Sequence, residues 1–150
     1  MKTIKNYILE KLKIRKSKYN YTPTNTAELI RIVKELINER GKYANLNDID
    51  TSNVKKFIDI FLDRDFDGDI SEWEVSQATH FTRMFLNSTF TGKKSDLSQW
   101  NVSNGIVFSG MFKNSSFNND ISNWNISNDA VTNGMFDKCP INNNFKPQYT

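Results

Sequence analysis

The sequence predicts an α/β fold: a short repeat solenoid of four strand-plus-short-helix units with an N-terminal helical cap. A repeated pattern of large apolar residues fills the later part of the chain, and one capped amphipathic helix precedes it. A unit that consists of one strand and one short helix cannot bury its apolar face alone, so such units must stack. The predicted divisions are a basic docking helix and linker over residues 1–20, a capping helix over 24–44 and the solenoid over 45–150.

Three segments of the chain share one pattern. "DISEWEVS" begins at Asp69, "DLSQWNVS" at Asp96 and "DISNWNIS" at Asp120, and a Met-Phe pair begins eleven residues after the Trp of each segment. With a fainter copy before them, units 1 to 4 begin near residues 45, 69, 96 and 120, and unit 2 carries a three-residue insertion around "TGKKS". The predicted repeat core contains Trp73, Phe85, Trp100, Phe112, Trp124 and Phe136.

The spacing inside one unit predicts which part is strand and which is helix. Trp100 and Val102 are two residues apart, which places both side chains on one face of a strand. Phe108, Met111 and Phe112 have the i, i+3, i+4 spacing of one face of a helical turn. Each unit is therefore predicted to contain a short strand followed by a short helix.

The segment "TAELIRIVKELINERG", residues 26–41, predicts the capping helix. Asn25 stands at the N-cap position, and Glu28 follows at the place of a capping box. Gly41 is typical of a helix C-terminus. The apolar stripe that we expect to cover the exposed end of unit 1 contains Leu29, Ile32, Val33 and Leu36.

The first residues of the chain form a second, basic amphipathic segment. Residues 1–44 contain eleven Lys or Arg against four Asp or Glu, whereas residues 45–150 contain nine against thirteen. An apolar stripe edged by positive charge is typical of a helix that docks in a groove of a partner protein. Packing on the same domain is the alternative, and a membrane surface is disfavoured because the stripe is narrow and lacks Trp and Phe. The predicted docking residues are Ile4, Ile8, Leu12, Lys11, Lys13 and Arg15.

The segment "DRDFDGDISEWE" contains acidic residues at the spacing of a calcium-binding loop. Such a cluster of carboxylates is expected to be solvated or to bind a cation. Three features argue against an EF-hand: the repeat accounts for most of these residues, the flanking helices are missing, and no second loop exists. Calcium binding is therefore kept as an alternative, with the candidate ligands Asp63, Asp65, Asp67, Asp69 and Glu74.

Several function classes are disfavoured by the composition. The single cysteine, Cys139, allows no internal disulfide. His80 is the one histidine and has no neighbouring ligands for zinc. We expect no enzyme, no catalytic residues and no cofactor, because no nucleophile has the neighbours of a triad and no phosphate-binding loop occurs. We also expect no nucleic-acid partner, no membrane span and no signal peptide.

The segment "DLSQWNVSN…FSGMFKNSSFNNDISNWNIS" resembles the BspA-like leucine-rich repeat proteins, also catalogued as a Mycoplasma-type repeat, over about residues 45–141. This resemblance implies a non-enzymatic protein-binding solenoid. The N-terminal segment and the cap helix are similar to those that open virion proteins of crAss-like phages.

These resemblances imply an accessory structural component of a larger assembly such as a phage virion. Its partner would be a capsid, portal or tail protein. The chain would be found in the cytoplasm of the producing cell and then in the virion. The alternatives are a bacterial surface adhesin-like protein, which would need export, and a calcium-binding protein.

Overall fold

The computed structural model describes residues 3, 4 and 17–150. Its long helix, α1, spans Thr26–Arg40. Asn25 caps the helix, since its side chain accepts a hydrogen bond from the Glu28 N–H at 3.0 Å. The Glu28 carboxylate accepts the Thr24 N–H at 2.8 Å in return, which satisfies a further donor before the first turn. The helix ends at Gly41, which has a φ of 85° that favours glycine.

Both ends of α1 are bonded to unit 1. At its start, the Thr26 hydroxyl donates to the Lys56 carbonyl at 2.6 Å. At its end, the Arg40 guanidinium donates to the Asn45 carbonyl at 3.0 Å and to both carboxylate oxygens of Asp48 at 2.9 and 3.0 Å. The helix therefore lies across the N-terminal end of the repeats. The side chains of α1 that are buried there are Leu29, Ile32, Val33 and Leu36.

The prediction of an α/β solenoid with four strand-plus-helix units is wrong. In the part of the chain that the structure describes, the regular elements after α1 are strand β1 (Asn125–Ile126), a 3₁₀ helix (Asn143–Phe145) and strand β2 (Gln148–Tyr149). The units consist of turns, and backbone hydrogen bonds, among them isolated parallel bridges, join each unit to the next.

Left-handed turn residues explain why the helical spacing does not produce a helix. Four residues at equivalent places in the four units have positive φ angles: Asp59 (60°), Arg83 (51°), Gly110 (61°) and Gly134 (64°). A right-handed helix cannot pass through such a residue. A turn instead brings the apolar side chains before and after it to the same face. A second left-handed column, four residues further along each unit, contains Asp63, Asn87, Asn114 and Lys138.

Aromatic rings form the centre of the molecule in columns that run from unit to unit. The Phe85 ring is parallel to Phe61 in unit 1 and to Phe112 in unit 3, with both centroid distances 5.2 Å. Phe112 in turn stacks on Phe136 at 5.8 Å. The residues predicted for the repeat core are buried, except that Phe136 is half-buried: Trp73, Phe85, Trp100, Phe112, Trp124 and Phe136.

The three-residue insertion changes the contact between units 2 and 3. Trp73 Nε1 donates to the Leu46 carbonyl at 2.9 Å, and Trp124 Nε1 donates to the Leu97 carbonyl at 2.8 Å. Trp100, whose unit follows the insertion, is buried, but its Nε1 has no acceptor among the described residues. Within the inserted stretch, the fully buried Ser95 bridges units by bonding the backbone of residues 68 and 70 at 2.8 Å each.

The last residues of the chain cover part of unit 4. Strand β2 pairs in parallel with β1, with Asn125 opposite Gln148 and Ile126 opposite Tyr149. The Thr150 N–H donates to the Ile126 carbonyl at 3.0 Å. This contact covers the first half of unit 4, whereas residues 131–138 form its second half.

Candidate functional site

The predicted calcium ligands are bound to neighbouring protein groups in the structure. Three of the carboxylates each accept a hydrogen bond from a side chain 24 residues later, in the next unit. Asn87 donates to Asp63 at 2.7 Å, Thr89 donates to Asp65 at 2.8 Å, and Thr91 donates to Asp67 at 2.7 Å.

The other two carboxylates accept hydrogen bonds within local turns. Asp69 accepts the N–H and the hydroxyl of Ser71 at 2.9 and 2.7 Å. Glu74 accepts the Ser76 N–H at 2.7 Å. These bonds are the usual local contacts of acidic turn residues, and they hold each carboxylate in its own turn.

The glycine of the calcium-loop pattern has a packing role. A Cβ atom at Gly68 would collide with the carbonyl oxygen of Ala44, the residue directly before unit 1. Because the Asp69 N–H donates to that same Ala44 carbonyl at 3.0 Å, the close approach belongs to the contact between units. The glycine is therefore explained by stacking without a metal ion.

Hydrogen bonds also favour the ionised form of two of these acids. A hydrogen bond from Thr89, together with the charge of Lys42, lowers the pKa of Asp65. Hydrogen bonds from Ser76 lower the pKa of Glu74. Within the described residues, no group of three or more His, Cys, Asp or Glu side chains is arranged to hold a metal ion.

A shallow polar depression lies beside the insertion, between units 3 and 4. It has a volume of about 480 Å³. Asp96 and Asp120 face it from successive units, and each accepts a backbone N–H at 2.9 Å, from Ser98 and Ser122 respectively. The hydrogen bonds from Ser122 lower the pKa of Asp120. Because these acids are exposed and bonded to their own turns, the depression offers no preformed ligand set.

The predicted docking residues fall mostly outside the part of the chain that the structure describes. This applies to Ile8, Leu12, Lys11, Lys13 and Arg15. Ile4 is described, and its side chain is 80% exposed.

The linker that follows the predicted docking segment contacts the repeats. Lys18 forms an ion pair with Glu72 at 2.7 Å, and the Asp50 N–H donates to the Tyr21 carbonyl at 2.8 Å. Residues 18–21 are thus held against units 1 and 2, so that any docking function would belong to the residues before them.

Units 3 and 4 carry an exposed aliphatic pair that was not predicted from the sequence. Ile106 is 54% exposed and Val131 is 46% exposed, and the Val131 N–H donates to the Ile106 carbonyl at 2.9 Å. At the equivalent places, unit 1 has Lys55 and Lys56. Comparing the units at repeat spacing would have revealed this change from charged to aliphatic residues.

None of the helices in the described part of the chain has the length and hydropathy that crossing a membrane requires. The stacked aromatic columns and the turn-built units define the class of this chain as a repeat protein. A family model described as "Mycoplasma protein of unknown function, DUF285" matches residues 29–148. This match covers most of the chain, and the chain belongs to the DUF285 family. Neither a curated protein nor a solved structure matches this chain.

Proposed function

We propose that the chain is a non-enzymatic protein-binding repeat module and an accessory structural component of a larger assembly such as a phage virion. The support is the regular surface that the aromatic columns impose. Phe61, Phe85 and Phe112 are parallel to within 3° at successive steps of 5.2 Å, so the outward-facing residues are spaced just as regularly. A rigid, periodic surface suits an extended contact with another protein.

A polar ladder on the surface illustrates this regularity. Asn114 Nδ2 donates to the Asn87 carboxamide oxygen at 2.8 Å, and Asn87 Nδ2 donates to Asp63 at 2.7 Å. All three residues are exposed and have left-handed backbones. Side chains that are fixed in this way lose little conformational freedom when a partner binds.

The basic N-terminal segment would attach the module to its assembly, with a capsid, portal or tail protein as the partner. Lys11→Glu combined with Lys13→Glu reverses charge in that segment. Lys93→Glu combined with Lys94→Glu makes an equal change on the exposed surface of the repeats and serves as the matched control.

The experiment measures whether the tagged chain sediments with assembled particles from the producing cells. We expect the wild type and the Lys93/Lys94 control to sediment with the particles and the Lys11/Lys13 variant to remain in the supernatant. Equal sedimentation of all three would contradict docking through the N-terminal segment. Recovery of the chain only from the cell surface would contradict the assembly role and favour the adhesin-like alternative.

A further inference from the structure

In the second half of units 1 to 3, a row of alternate backbone N–H groups donates forward to the unit that follows. In unit 3, four alternate backbone N–H groups donate to carbonyls of unit 4, at 2.7 to 3.0 Å. Units 1 and 2 donate in the same way to the units that follow them. The donors of unit 3 are Phe108, Gly110, Phe112 and Asn114, and the acceptors in unit 4 are Val131, Asn133, Met135 and Asp137.

Unit 4 repeats these donors, and residues 139–150 do not form a further unit that accepts them. The equivalent residues are Thr132, Gly134, Phe136 and Lys138, and within the described residues none of their N–H groups has an acceptor. The C-terminal residues do not cover them, because β2 pairs with the first half of unit 4. We call residues 131–138 the open edge. Four donors in a row at an unpaired edge favour pairing with a further backbone segment.

The side chains beside the open edge become less polar toward this end. Parallel bridges join Lys56 to His80, His80 to Val107 and Val107 to Val131, one residue from each unit. The column therefore changes from lysine in unit 1 to exposed valine in unit 4. Val131 and Ile106 together form an aliphatic patch directly next to the first donor of the open edge. A partner that bonded to the edge would bury this patch.

We propose that the open edge binds a segment of another protein that presents backbone carbonyls as the units of this chain do, namely a repeat segment of the same type. The observation that identifies this partner is continuity, since the same edge is paired in this way at each of the three junctions between units. The proposal deepens the proposed protein-binding function, on which it rests, by naming the contacting residues and the chemistry of the partner.

A second copy of this chain does not provide the required partner. In unit 1 the first carbonyl of the equivalent row, that of Lys56, already accepts the hydroxyl of Thr26 in α1 at 2.6 Å. Two open edges are not complementary, because each offers free N–H groups while the carbonyls of residues 131–137 already accept backbone hydrogen bonds. The partner must therefore offer acceptors, which an uncapped repeat segment does.

A peptide that copies residues 104–116 tests the proposal, because in the molecule this stretch covers the donors of unit 2. The full chain is labelled with ¹⁵N, and its amide signals are followed as the peptide is added. We expect saturable shifts and slower hydrogen exchange at Thr132, Gly134, Phe136 and Lys138. A scrambled peptide should cause neither change.

The test variant combines Ile106→Lys with Val131→Lys in one chain. Tyr43→Lys is the matched control. Unit 1 already has lysine at the equivalent positions, Lys55 and Lys56, so we expect the double variant to fold. Tyr43 is 57% exposed and lies next to Lys42, away from the open edge. Loss of the shifts in the double variant and their retention in the control would support the proposal.

Absence of shifts at the four donors, or equal shifts with the scrambled peptide, would overturn the proposal. The same peptide sequence fused after Thr150 through a Gly/Ser linker raises the effective concentration to about millimolar, which offsets the cost of ordering a free peptide. If hydrogen exchange at the four N–H groups is not slowed in this fusion, the proposal is also overturned. Particle sedimentation without edge binding would refute the edge assignment alone, whereas edge binding without particle sedimentation would refute the assembly role alone.

Discussion

The rings of Phe85 and Phe112 lie parallel to each other, with 5.2 Å between their centroids and 3° between their planes. Both side chains are fully buried. They join units 2 and 3 across the junction that carries the insertion, so the column of rings continues although the spacing along the chain changes from 24 to 27 residues. The stacked rings and a row of backbone hydrogen bonds from unit 2 to unit 3 both cross this junction.

Replacing Phe112 by alanine should destabilise the protein by about 3–5 kcal/mol, because a fully buried ring leaves a cavity. Phe112 contacts Phe85, Phe117, Trp124 and Phe136, so the surrounding rings have little freedom to fill the space. Urea unfolding followed by tryptophan fluorescence measures this change. Phe136→Ala is the control and should cost less, since that ring is half-buried at the end of its column. Equal costs would contradict the continuous column.

The two tryptophans Trp124 and Trp100 should respond differently to replacement by phenylalanine. Both substitutions remove the same atoms, but only Trp124→Phe removes a hydrogen bond, which Nε1 donates to the Leu97 carbonyl at 2.8 Å. Trp100 Nε1 has no acceptor in the described structure, so its removal also removes a buried polar group that has no partner. We expect Trp124→Phe to cost at least about 1 kcal/mol more than Trp100→Phe in the free energy of unfolding. Equal losses in thermal or urea unfolding would contradict this assignment.

The sequence was sufficient to locate the helix and the buried positions of the repeats. The capping residues Asn25 and Glu28 act locally, so their pattern indicates where α1 begins. The repeated Trp and Phe positions are large and apolar in each unit, and their burial follows from hydrophobicity without knowledge of the backbone.

The backbone of the units could not be predicted from the same pattern. A spacing of three and four residues indicates a helix only if every intervening residue has a right-handed helical backbone. Arg83 and Gly110 have left-handed backbones with positive φ angles. Arg83 carries no sequence signal for that conformation. The calcium pattern was ambiguous for a related reason, because the donors that bind Asp63 and Asp65 are 24 residues away and local spacing does not reveal them.

Alanine at Gly110 should reduce stability through the backbone alone. The position has a φ of 61°, and a Cβ atom there would lie 3.5 Å from Arg83 Cγ, an ordinary contact distance. The expected cost is therefore the left-handed strain of an L-residue, about 1–2 kcal/mol. Differential scanning calorimetry measures it, and an unchanged melting temperature would contradict the assignment.

Glycine at Lys138 provides the reverse test. Lys138 is exposed and has a φ of 52°, so Lys138→Gly relieves strain and should leave stability unchanged or raise it by up to about 1 kcal/mol. Lys113→Gly is the matched control, an exposed lysine outside the left-handed positions. The Lys113→Gly protein should be less stable than the wild type by about 0.5–1 kcal/mol, because glycine loses more conformational freedom on folding than lysine does. Equal effects of the two glycines would contradict the role of the left-handed columns.

Calcium should not stabilise the protein. Asp63, Asp65 and Asp67 accept hydrogen bonds from separate donors in unit 2, so a shared ion would have to displace several bonds. Isothermal calorimetry with calcium up to millimolar concentration should show no saturable heat, and the melting temperature should stay constant. Saturable binding that disappears in Asp65→Asn would contradict this prediction and revive the calcium-binding alternative.

Acid should weaken the attachment of α1 to unit 1 through Asp48. Hydrogen bonds from Arg40, at 2.9 and 3.0 Å, and from Asn20, at 2.8 Å, lower the pKa of Asp48 below its ordinary value. A lowered pKa in the folded state means that the unfolded chain binds the proton more readily. The stabilisation is therefore complete above the unfolded pKa of about 3.9 and is lost as the pH falls through the lower folded value.

Asp48→Asn should accordingly destabilise the protein by about 1 kcal/mol at neutral pH, and its difference from the wild type should shrink below about pH 4. Urea unfolding at several pH values between about 2 and 7 measures the difference. Glu35→Gln is the control: Glu35 pairs with Arg31 at 3.0 Å, but both side chains are 62% exposed, so its removal should change little at any pH. A difference for Asp48→Asn that stayed constant with pH would mean that packing, and not the carboxylate charge, holds the end of α1 on unit 1.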